Sequence, residues 1–134
     1  MMKVLQPPGW SKPKGYANGI AVKGGTTVFI AGQVAFDSKN VIREVTFAGQ
    51  FRQTLHNTLA VLAEAGGRPE HIVRMTWYVL DKREYLGAIK EVGAAYRELI
   101  GRHYPAMAVV QVSALMEEGA KLEIETTAVI PESA

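Results

Sequence analysis

Residues 72–80 read IVRMTWYVL. Branched and aromatic side chains dominate, and Val73, Met75, Trp77 and Val79 fall on one side of an extended backbone, so the run predicts a strand. A helical pattern lies on each side of it. Upstream, Phe51, Leu55, Leu59, Leu62 and Ala65 recur at three- and four-residue intervals within residues 45–65, and Gly66 and Gly67 close the run as a C-terminal cap. Downstream, Leu86, Ile89, Val92, Ala95, Tyr96 and Leu99 mark an amphipathic helix over residues 83–100 that ends at Gly101.

Pro105 then starts a further strand. In residues 106–115, AMAVVQVSAL, both alternating sets are largely apolar, which predicts a strand covered on both faces. Residues 121–130, KLEIETTAVI, alternate cleanly, with Leu122, Ile124, Thr126 and Ala128 opposite Glu123, Glu125 and Thr127. Toward the N-terminus, Gly24 and Gly25 separate two β-prone runs, residues 17–22 and 27–35, which suggests a hairpin. Residues 1–14, rich in Pro, Gly and Lys, read as an arm, with ordered structure beginning near Tyr16.

The order β-β-α-β-α-β-β predicts one α+β domain over residues 15–131, followed by a short tail at 132–134. Two helices can cover only one face of its mixed sheet. The other face needs a cover, most simply other copies of the chain in a closed cyclic oligomer.

A chain of 134 residues with 48% apolar content suits a single core. The absence of cysteine excludes disulfides, thiolate metal sites and a cysteine nucleophile. The net charge of +2 comes from scattered residues, so no basic patch points to nucleic acid. No run is long enough to span a bilayer and the opening residues lack a signal-like stretch, so a cytoplasmic location with no membrane partner is expected.

His56, His71 and His103 lie in separate elements without ligand spacing, which gives no zinc or iron signature. His56 and Asn57 are read first as a polar helix face. Neither glycine pair fits a phosphate-cradling loop, and Ser113 lacks the G-x-S-x-G context of a serine hydrolase. Glu123 and Glu125 share one side of the last strand; buried by assembly, such a carboxylate could activate water, whereas exposed they are ordinary sheet surface.

The blocks KGYANGIAV, TVFIAGQVAFD, QFRQTLHNTLAVLAEAGG, HIVRMTWYVLDKREY, HYPAMAVVQVSAL and GAKLEIETTAVI, in this order and spacing, resemble the Rid (YjgF) family. The resemblance implies a chorismate-mutase-like fold, a homotrimer with small-metabolite clefts between subunits, and cofactor-independent hydrolysis of enamines or imines to a keto acid and ammonia. It further implies that Tyr16, Gly32 and Glu123 belong to the site, Glu123 activating water and Tyr16 donating a hydrogen bond.

The family's substrate-anchoring arginine follows Pro-Ala, where this chain has Met107 after Pro105 and Ala106. Ala108 stands where Ser or Thr is common, and Gly93 where an asparagine is frequent. The implied cleft is therefore more apolar, as in the subgroups without that arginine, and its substrate less anionic. Two alternatives stay open. One is a module that binds a small ligand or regulates without turnover. The other, weaker for want of a basic groove, is the endoribonuclease-type activity by which some relatives are named.

Overall fold

The computed structural model describes residues 2–132. In chain order it contains β1 (Met2–Leu5), β2 (Gly19–Val22), β3 (Thr26–Gln33), α1 (Phe47–Glu64), β4 (Ile72–Val79), α2 (Lys82–Gly87), α3 (Ile89–Leu99), β5 (Ala106–Gln111) and β6 (Leu122–Ile130). The main sheet runs β3-β6-β4-β5. Only the β4–β5 pair is parallel, joined by the α2–α3 crossover; the others are antiparallel.

Helix α1 begins where expected because the Thr46 hydroxyl accepts from Gly49 N at 3.0 Å. It ends in a Schellman motif: Gly66 adopts φ 79°, its N–H meets the Ala63 carbonyl, and the Gly67 N–H meets that of Leu62. The helix over residues 83–100 divides into α2 and α3 at Ala88, whose backbone leaves helical geometry at ψ 12°. Asp81 starts α2 by accepting from the N–H groups of Arg83 and Glu84.

One face of the sheet builds the core. Leu122, Ile124, Thr126 and Ala128 of β6, with Met75, Trp77 and Val79 of β4, pack beneath Phe51, Leu55 and Leu62 of α1 and Val92, Ala95 and Tyr96 of α3. The opposite face carries Glu123, Glu125 and Thr127 beside Tyr78 and Arg74 of β4, and Phe29 of β3, which is 80% exposed. Among the described residues no helix is long and apolar enough to cross a membrane.

Three expectations need correction. Met2–Leu5, read as part of an arm, is a strand antiparallel to β2; its four residues were hidden beside the Pro- and Gly-rich stretch that follows. The hairpin between β2 and β3 does not form. Gly24 and Gly25, at φ 73° and 82°, turn the chain so that β2 pairs with β1 while β3 joins β6. The strand apolar on both faces, β5, ends at Gln111 and lies at the sheet edge, and Val109 and Val110 are exposed within a single chain.

Candidate active site

The residues singled out in the sequence occupy two places. Tyr16, Gly93 and Met107 line a cavity of about 550 Å³ on the helix-covered side, bounded by β4, β5, α2, α3 and the loop between β1 and β2. Gly32 and Glu123 lie on the open face, across β3 and β6. Ala108 is level with Thr76 and, through it, Glu125, so it too belongs to the open face and not to the cavity wall beside Met107.

The cavity is walled by aromatic rings. Tyr96 and Tyr104 stack at 5.6 Å with their planes 6° apart, while Trp77 meets Tyr85 edge-on at 6.3 Å and Phe51 at 4.8 Å. The Tyr96 hydroxyl donates to the His103 carbonyl at 2.6 Å. Burial holds the Tyr96 phenol well above its usual range, with neighbouring Tyr104 adding to the effect, and burial also raises Tyr85. Both therefore stay neutral and act as fixed walls. Tyr16 is 42% exposed, and its backbone is tied down next door, where Ala17 N donates to the Pro105 carbonyl at 3.0 Å and bridges to Ala106.

On the open face the two glutamates differ. Glu125 accepts from the Tyr78 hydroxyl at 2.5 Å, an engagement that raises the Tyr78 phenol. Glu123 has no hydrogen bond or ion pair among the described residues, and its side chain lies across the backbone of Gly32. A Cβ at position 32 would collide with that carboxylate, so glycine is what lets the carboxylate rest there.

Two amides of α1, Gln50 buried and Asn57 half-buried, fix this arrangement from below. Gln50 donates to the carbonyls of Glu44 and Gly119 and accepts from Lys121 N at 2.8 Å, which sets the start of β6. Asn57 donates to the carbonyls of Val34 and Phe36, which fixes the chain just after Gly32. Asn57 is thus a positioning residue one layer below the site, while His56 is exposed. His103 Nε2 sits 2.6 Å from the Ile72 carbonyl, and His71 Nδ1 accepts from Arg68 N.

The sequence reading did not single out Trp77, Tyr85, Tyr104, Lys14 or Arg97 as lining residues. A signal existed for Arg97, since it stands four residues after Gly93 and so shares its helix face.

A four-stranded mixed sheet backed by two main helices, with an aromatic cavity at one edge and a glycine-seated carboxylate on its uncovered face, defines a small α+β domain. A family model described as endoribonuclease L-PSP matches residues 11–130. A crystal structure of a Rid-family protein of unknown function from Yersinia pestis, YyfB, superposes with a TM-score of 0.83 at 30% identity, covering 96% of this chain and 98% of that one. A RutC family protein of Pyrococcus horikoshii is 33% identical over 109 residues, 81% of this chain and 82% of its own length. The 2-iminobutanoate/2-iminopropanoate deaminase of Salmonella typhimurium is 31% identical over 117 residues, 85% and 86% of the two chains. The chain belongs to the Rid family.

Proposed function

We propose that the protein hydrolyses a labile imine or enamine with release of ammonia, acting as a homotrimer in which the cavity of one copy meets Gly32 and Glu123 of the next. The observation that carries this reading is Glu123, a carboxylate without a hydrogen-bond or ion-pair partner among the described residues, seated over a glycine backbone. Support for the ring comes from the sheet order. β3 and β5 are opposite edges, with the carboxylate next to one and the cavity beside the other, so a head-to-tail contact between copies juxtaposes the two half-sites. Exposed Phe29, Val109 and Val110 supply apolar surface for that contact.

The chemistry then balances without a redox partner. Glu123 takes a proton from water as the oxygen bonds to the C=N carbon, and the proton passes to nitrogen. The hydroxyl proton of the tetrahedral adduct then passes to nitrogen by way of Glu123, the C–N bond breaks to release ammonia, and a carbonyl remains. The Tyr16 hydroxyl donates a hydrogen bond to the bound substrate. Met107 and Gly93 shape the cavity, and Ala108 lies outside it.

The test is ammonia release from 2-aminoacrylate and from 2-imino acids made in situ by an amino acid oxidase. The natural chain should accelerate release, and Glu123→Gln should slow it by about a hundredfold or more while leaving ligand affinity intact. Saturable binding without acceleration on any of these compounds would favour a non-catalytic ligand-binding role instead.

A further inference from the structure

Among the described residues the cavity lining contains two cations, Lys14 and Arg97, and no Asp or Glu. Neither cation has a hydrogen bond or ion pair among the described residues. Arg97 lies one helical turn beyond Gly93 on α3, and a helical side chain leans toward the N-terminus, so its guanidinium returns over position 93. A Cβ placed on Gly93 would sit 3.3 Å from Arg97 Nη1. Gly93 is therefore the gap in which the guanidinium rests, and Ile89, Val92 and Tyr96 continue the same stripe along the cavity.

An exposed guanidinium on the lining of an aromatic cavity, with no acid among the described lining residues to neutralise it, is suited to a carboxylate, which its planar fork meets with two parallel hydrogen bonds. Lys14, on the loop opposite, adds a second positive charge to the lining. The remaining wall includes Tyr16, Trp77, Tyr85, Tyr96 and Tyr104 among glycine and aliphatic side chains, and about 550 Å³ is far more space than a three-carbon imino acid fills. An apolar, planar group occupies such walls best.

Resting on the reading of this cavity as the substrate pocket, we propose that Arg97, seated over Gly93, is the carboxylate anchor of the site and that its substrate is a 2-imino or 2-enamino acid with an aromatic side chain. Met107 then lines the apolar part of the pocket and the anionic requirement is retained, contrary to the expectation drawn from Met107 alone. Hydrolysis of such a substrate consumes one water and yields an aromatic 2-oxo acid and ammonia.

Calorimetric titration of the intact protein with phenylpyruvate, pyruvate and phenylacetone tests the assignment apart from turnover. Phenylpyruvate should bind at least tenfold more tightly than pyruvate, which lacks the ring, and than phenylacetone, which lacks the carboxylate. Arg97→Gln should weaken phenylpyruvate by about tenfold, the effect of losing a charge-assisted hydrogen bond, and leave phenylacetone unchanged. Gly93→Leu, which keeps the charge but fills its seat, should do the same. The proposal is overturned if Arg97→Gln binds phenylpyruvate like the natural chain, if Lys14→Gln alone abolishes the preference for the acid, or if pyruvate binds as tightly as phenylpyruvate. Intact binding with no hydrolysis of any imine would count against the proposed activity and leave the anchor standing.

Discussion

The cavity beside β5 and the carboxylate above β3 are built in opposite ways. The cavity takes its walls from β4, β5, α2, α3 and the loop between β1 and β2 of one chain, and its rings are locked by stacking and by the Tyr96 hydrogen bond. Glu123 lies on a sheet face with exposed neighbours and is positioned from beneath by Gln50 and Asn57. On the proposed reading, recognition is complete within a single chain, whereas chemistry awaits a neighbour.

That contrast can be broken at either end. The largest effect is expected from Phe29→Lys, which places a charge on the uncovered face. Size-exclusion chromatography should show loss of the oligomer, and imine hydrolysis should fall with it, while the fold of each chain persists. If turnover survives in a monomer, the two half-sites do not need each other.

Next comes the stability difference between the two faces of β6. Ile124→Ala, on the core side, should cost about 2–5 kcal/mol in denaturant unfolding, whereas Thr127→Ala, on the open side, should stay within about 0.5 kcal/mol. Equal costs would mean that the open face is already packed.

Gly32→Ala probes the seat of the carboxylate. The added methyl must displace Glu123, so hydrolysis should drop by roughly tenfold with little change in ligand affinity, because the residues lining the cavity are untouched.

The smallest effect concerns alkaline pH. The Tyr96 phenol titrates above its ordinary value of 10.0 when folded. The unfolded chain therefore releases this proton first, and the stability that the neutral buried phenol contributes is present below pH 10 and lost as pH rises through the folded value. Tyr96→Phe should flatten that alkaline decline and cost about 1 kcal/mol at neutral pH through its lost hydrogen bond to His103. An unchanged alkaline slope would assign the effect to Tyr85 or to other groups.

Strong periodicity was legible. Residues 45–65 announced α1 to within two residues at its start, and the alternation of residues 121–130 placed Glu123 and Glu125 opposite the core. Pairing was less so. β1 is four residues long and lies beside a proline-rich loop, and its partner is defined only by long-range contact. Residues 106–115 are apolar on both sides although β5 is an edge whose Val109 and Val110 are exposed in a single chain. The site divided along the same line. Tyr16 came forward through resemblance and Glu123 through both alternation and resemblance, but Arg97 went unremarked because the role proposed for it depends on an absence, the missing side chain at Gly93.

The loop between β1 and β2 carries one further consequence. Its ends are held by the β1–β2 ribbon and by the Ala17–Ala106 bridge, and Gln6 closes it internally against Trp10, Ser11 and Asn18. Lys14 and Tyr16 hang from this closed hoop, whereas the other walls belong to the load of helix and sheet. The hoop can therefore be rewritten in length and composition without disturbing the core, which makes it the natural cassette for changing what the pocket admits.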